Sequence, residues 1–358
     1  DEVYAKIDYE TTAKDIKAGS ISINANEDIN ASHIVVSGGG ASNLVLDVNP
    51  IVNTYNATVE SAIKNSKVKD AAIAINAQTA MDSLDVSAGV AGVAKGIAGV
   101  GVAIKNDYIG NIKSYIDNAV INTEKDIDID ASSVINANNW VVGGSAAGQG
   151  VSVTLNVLWN NVNSTLEAGI KNSTIDKADV ITINTNKDKT DHIDNTAIAA
   201  ALAGEGASAI VNVIKNDFTN TVTSYVDNTE STEIGSLEVE ASSDRRTNNI
   251  NFGLIVTGEG AGLAANALSN DINSTTRSYV DAKSKTLNIE RNLDVKSNDT
   301  AAARNSVVMG SLVALGGGVG LNINLYSANN LVKSEILSAT AGQINAGSVD
   351  MDSELINA

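Results

Sequence analysis

The fold class this sequence predicts is all-β: a parallel β-helix, or β-solenoid, built on repeats of ~54 to ~56 residues. Three observations predict it. A short alternating signature recurs along the whole chain, a glycine column and two asparagine columns recur with the same period, and proline is almost absent. Recurrence at a fixed period of this size marks a repeat architecture, in which each unit buries its apolar face only against its neighbours. The 358 residues therefore read as one continuous solenoid, 1–358, rather than as separate globular domains.

The first element is the strand signature. It stands at Ile21-Ser22-Ile23-Asn24-Ala25 and returns as Ile73-Ala74-Ile75-Asn76-Ala77 and Ile127-Asp128-Ile129-Asp130-Ala131. It continues as Ile181-Thr182-Ile183-Asn184-Thr185, Leu237-Glu238-Val239-Glu240-Ala241, Leu293-Asp294-Val295-Lys296-Ser297 and Val349-Asp350-Met351-Asp352-Ser353. Apolar and polar residues alternate with period 2, which makes each copy a half-buried strand. One inserted residue would turn the apolar set to the wrong face.

The second element is a stretch of small residues around Gly40, Gly96, Gly150, Gly206, Gly260 and Gly316. After it come two polar positions inside apolar strands. One holds Asn156, Asn212, Asn266 and Asn322; the other holds Asn106, Asn160, Asn216 and Asn270, with Tyr326 as the departure. If units stack, amide lies over amide, and the side chains hydrogen-bond along the stack. A buried amide is tolerable under that condition, because its donors and acceptors meet their own kind. Counted from Gly40, the first copy is degenerate, with Leu46 and Pro50 in the asparagine places. An apolar position at Ile116, Ile170, Val226, Val280 and Ile336 precedes the next signature. The units fall at 1–32 (partial), 33–83, 84–139, 140–195, 196–249, 250–305 and 306–358. A weaker echo places Ile181–Asn184, Ala209–Asn212 and Leu237–Glu240 at 28-residue steps, which favours two narrow turns of the solenoid per unit. The glycines and β-branched residues of stretches such as 196–214 count against a helical alternative there.

Composition agrees. Aromatics are 3% and hydrophobic residues 43%, so the core is made of Ala, Val, Ile and Leu and its walls are closely spaced. The single proline, Pro50, fits a chain that is strand almost throughout, because proline cannot donate to a ladder. With no cysteine there is no disulfide framework, and stability must come from stacking. A net charge of −18 argues against nucleic acid and anionic membrane surfaces as partners. No stretch approaches the ~20 unbroken apolar residues of a membrane-spanning helix, so no membrane insertion by this segment is expected. The first and last residues fall inside recognisable repeats, so the chain reads as a piece of a longer protein.

Residues 197–228, AIAAALAGEGASAIVNVIKNDFTNTVTSYVDN, followed by LEVEAS at 237–242, resemble repeats of the very large filamentous adhesins and leukotoxin-like surface proteins of fusobacteria and related anaerobes. More broadly, they are similar to the β-solenoid passengers of autotransporter, type V secreted proteins. That resemblance implies a right-handed β-helix, export, a place on the outer surface of the bacterium, and host or bacterial cell-surface molecules as partners. It supplies no active-site residue. The leukotoxin-like members imply a second function, a secreted passenger acting on host cells.

Chemistry is sparse. His33 and His192 lie at different places in different units and read as surface residues; without cysteine a zinc site is not expected. No Gly-x-Ser-x-Gly elbow occurs, and the glycine triplets at 38–40 and 316–318 lack the Lys-Ser/Thr of a phosphate loop. Asp126, Asp128 and Asp130 share one strand face, and Glu238, Asp294 and Asp350 form a column. Asp128, Glu238, Asp294 and Asp350 are the candidate calcium ligands, although no dedicated calcium loop is present. No other cofactor is expected. Tyr115, Tyr225 and Tyr279 share one position, with Gly169 and Glu335 in the same column, and offer either a stacking surface for a ligand or cross-strand packing. A polysaccharide-degrading β-helix enzyme needs clustered carboxylates in a cleft, and no insertion long enough to form one interrupts the repeat. The chain is therefore expected not to be an enzyme but a structural or adhesive segment. In 197–214 both parities are apolar, with Ala199, Ala201 and Ala203 on one and Ile198, Leu202, Ile210 and Ile214 on the other. A strand apolar on both faces is covered on both, which predicts a second layer or lateral self-association.

Overall fold

A computed structural model describes residues 2–9, 15–338 and 342–357. Among them there is no helix, and thirteen strands join one continuous sheet in which every pairing is parallel. The long strands Ala72–Asp117, Ile127–Lys171, Thr190–Asp227, Glu230–Asp281 and Thr286–Leu337 each pair with the same stretch of the neighbouring unit. Asn160, for instance, pairs with Asn106 below and Asn216 above.

Each unit is therefore one wide turn. The expectation of two narrow turns is overturned by the register, which runs from unit to unit with no intervening half-turn. The 28-residue echo has another origin: it is the two limbs of a single rung. An outgoing limb runs to a bend at the tip glycine and a returning limb runs back over it, as side-chain contacts between them show. Ser145 meets Ser152 at 2.7 Å, Asn139 meets Asn160 at 3.2 Å and Ser83 meets Tyr108 at 2.7 Å. The limbs do not pair with each other; they belong to two sheet faces packed across a thin core, and apart from local turns at Asn186–Lys189 and Ala282–Lys285 their backbone hydrogen bonds run along the stack. The returning limb Leu44–Lys64 has 21 residues. A strand of that length spans roughly 70 Å, whereas six rungs rise only about 29 Å.

The bend requires glycine. Gly96, Gly150, Gly206, Gly260 and Gly316 have φ between +101° and +143°. That region is closed to residues with a Cβ, and each of the last four sits against the carbonyl of the glycine below. In the first rung, however, Gly40 pairs with Gly92, and Leu44 with Ile97. The tip there lies at Asn43, so Asn49 and Asn53 occupy the two asparagine places and the apparent degeneracy vanishes. The count from Gly40 fails because Gly40 is not the tip residue of its rung.

At the base a short third strand closes the rung, as at Lys67–Lys69, Val120–Asn122 and Thr174–Thr185. The corner leading into it is made by Asn65, Asn118, Asn172 and Asn228, with φ of +51°, +52°, +51° and +49°. Asparagine tolerates that left-handed conformation better than other side chains do. The largest apolar cluster fills this base, drawn from the strand signatures (Ile73, Ile129, Ile181), the returning limbs (Ile116, Ile170) and the closing strands (Ile121, Ile175). Toward the tip the core narrows to small residues such as Ala98, Ala147, Ala199 and Ala201.

Candidate functional site

The asparagine columns lie inside the blade. Asn106, Asn160, Asn216 and Asn270 are buried and donate one to the next along the stack, at 3.4, 2.9 and 2.8 Å. Asn156, Asn212, Asn266 and Asn322 form a second line, with Asn212 donating to Asn266 at 3.0 Å and Asn266 to Asn322 at 3.2 Å. Asn156 donates instead to the Ile198 carbonyl at 2.7 Å. Sequence reasoning missed the facing column on the outgoing limbs, Asn139, Asn195, Asn249 and Asn305. It interdigitates with the first: Asn160 donates to Asn195 at 2.8 Å and Asn216 to Asn249 at 3.0 Å. Each of these residues precedes its tip glycine by eleven positions, so the signal was present in the period. Asp85 ends this column, accepting from Asn106 at 2.9 Å and facing His33 Nδ1 at 2.8 Å.

The tyrosine column is packing. Tyr115 and Tyr225 are buried, and Tyr225 stacks on Tyr279 with ring centroids 5.7 Å apart. A Cβ on Gly169 would stand 2.5 Å from the Tyr225 ring, so this glycine makes room for it. Lys64 and Lys171 flank Tyr115, and Arg277 covers Tyr279. Burial and then the bond to Glu60 push the Tyr115 phenol up to about 12. The stacking-surface reading is corrected accordingly, since the ring faces are occupied by neighbours.

The carboxylate column is interrupted. Thr182 lies between Asp128 and Glu238, while Glu238, Asp294 and Asp350 follow on successive rungs. Glu238 is paired with Lys187 at 3.0 Å and Asp350 with Lys296 at 3.6 Å. Burial, then the neighbouring Asp126, raises the Asp128 pKa. Among the described residues no three His, Cys, Asp or Glu side chains converge as a metal site would require.

What the stacking creates on the outside is a shallow groove along the outgoing limbs. Two adjoining hollows of about 500 and 440 Å³ share His192 and Asp194. Their floor is two outward columns: Asn30, Asp82, Asn136, His192, Arg246 in one, and Ser32, Leu84, Asn138, Asp194, Asn248, Arg304 in the other. Asn136 donates to Asp82 at 2.9 Å; Arg246 pairs with Asp244 at 2.9 Å. The groove is acidic at Asp82 and Asp194 and basic at Arg246 and Arg304, with Asn136, Asn138 and Asn248 among them. Neither column keeps one residue type from rung to rung, and this is why the period does not reveal it. His192, expected on the surface, lies at its centre.

Comparison with known families, curated proteins and solved structures gives no match to this chain.

Proposed function

We propose that the chain is an adhesive segment of a secreted, surface-displayed bacterial protein, and that the groove is where it takes an extended ligand, a glycan chain or peptide on a host or bacterial cell. The observation carrying this reading is the groove's repetition: a linear ligand lying along the stack meets a new pair of side chains about every 4.8 Å. Contacts of this kind are individually weak and add through multivalency. The stretch of the groove at Asn136 and Asn138 beside Leu84 carries no charge and suits hydroxyl and amide groups better than an ion.

The test is binding of the labelled chain to epithelial cells and to partner bacteria, against an unrelated protein of equal acidity. Saturable binding, reduced at least about tenfold in the variant Asn136→Ala/His192→Ala/Asp194→Ala, is the expected result. Absence of saturable binding, or binding that the triple variant retains, refutes the reading.

A further inference from the structure

The half of the blade nearest the tip has a mixed interior. Apolar residues such as Val141, Ala147 and Leu158 share it with Asn156, Ser145 and Thr154, which are buried and bonded to one another or to backbone. Its outside is apolar. Alternation points positions 140, 142, 144 and 146 outward on one face and 151, 153, 155 and 157 on the other. In this rung and in the equivalent positions of 86–103, 196–213 and 250–267, none of these residues is charged; Thr196 is the one that is polar. Leu155, Leu202 and Leu254 are each about two-fifths exposed. Each face covers roughly 650 Å², seven residues by six rungs, beyond the largest apolar patch of an ordinary monomer.

We infer that this band is a lipid-contacting surface, which the blade lowers tip first into the apolar part of a bilayer. Three observations select lipid over a second copy of the chain. Seven residues of strand span roughly 23 Å, close to the ~25 Å apolar band of membrane-spanning barrels. The band also ends at one height on both faces, where Trp140 and Trp159 stand back to back, on either side of the Asn139–Asn160 bond. Finally, both indoles send their N–H away from the band, Trp140 to Asn138 at 2.8 Å and Trp159 to Asp217 at 3.0 Å, and Lys105 and Lys215 flank the Trp159 ring. Such an aromatic boundary with apolar residues to one side and charges to the other is the pattern of a bilayer interface. A protein partner on one face would not require the opposite face to end at the same level.

The backbone permits it, since interior rungs satisfy every ladder group within the stack. The absence of an apolar helical span among the described residues is no obstacle, because strands present lipid with alternate residues only. Lys95, Gln149, Glu205 and Glu259 at the tips supply a polar far end.

Flotation of the 358-residue chain with phosphatidylcholine vesicles tests this; the zwitterionic lipid removes attraction to net charge. The two tryptophans are native probes: their emission shifts to the blue, and lipids brominated near the headgroup quench them more than lipids brominated near the chain end. The variant Val142→Lys/Leu155→Lys places charge mid-band on both faces and lowers the floated fraction at least tenfold. The charge-matched Asn163→Lys/Asn273→Lys, outside both the band and the groove, floats like the parent, and both variants keep the parental circular dichroism and melting. The inference is overturned if the parent chain stays at the bottom of the gradient, or if both variants float equally. It is also overturned if the parent fails to float but forms dimers in sedimentation that the mid-band variant dissolves, which would assign the faces to a second copy. Pure lipid vesicles carry no glycan or peptide, so loss of cell binding by the groove variant and loss of flotation by the band variant are separate results.

Discussion

Asp191 is an acid buried in the interior. It accepts the Ile135 N–H at 2.9 Å and pairs in register with Arg245, whose guanidinium is wholly buried and bonded to Asp299. Burial, offset in part by the Ile135 N–H and Arg245 and reinforced by Asp244, pushes Asp191 up to about 7. The folded chain thus holds this proton more tightly than the unfolded chain, and the group's contribution to stability is lost as pH rises from the usual carboxylate range through about 7. Asp191→Asn keeps the acceptor and removes the titration. Between pH 5 and pH 8, denaturation midpoints should move in the variant's favour by an amount on the order of a few kcal/mol; parallel curves for the two proteins would contradict this. Asn216 tests the ladder. It bonds Asn160, Asn195, Asn249 and Asn270. Asn216→Leu strands those four neighbours and should cost roughly 2–4 kcal/mol in chemical denaturation. The ladder was legible because it repeats. The Arg245–Asp299 pair was not, because it occurs once and an arginine doublet between polar neighbours reads as surface.

Among the elements, the tip turn is the least tolerant. At Gly206 φ is +124°, and a Cβ would stand 1.9 Å from the Gly150 carbonyl oxygen. Gly206→Ala should therefore destabilise by at least about 3 kcal/mol, whereas Glu205→Ala beside it should stay within about 1 kcal/mol, both read from thermal melts. Strand existence, period and inward columns were legible from alternation and spacing. The geometry of a turn was not: the inward parity switches at the tip, from odd positions before Gly150 to even positions after it, but the small residues around the glycine hide the switch, and a rung folded in two imitates two turns of half the length. The same limit produced the misplaced first tip, where Gly40 resembled the tip glycines in neighbourhood but Asn43 held the place in register. The corner asparagines were also missed, although their left-handed backbone is a sufficient reason for the residue type.

For the whole molecule, one turn per unit means breadth instead of height. The groove emerges only when rungs are superposed and keeps no residue type from rung to rung, which is why it could not be read along the chain; the apolar band was legible in part, as the two apolar parities of 197–214. The same geometry governs what happens under load. A rung adds about 4.8 Å to the stack but stores about 55 residues, or about 190 Å of extended chain. Pulled by its ends, the protein should peel one rung at a time, and a single-molecule force trace should show a sawtooth with contour steps of about 190 Å. A single all-or-none rupture would contradict the stacked arrangement. A tether of this construction is short at rest and releases roughly forty times the height of each rung it surrenders, so a cell held by it would stay attached through a sudden drag by giving ground one rung at a time.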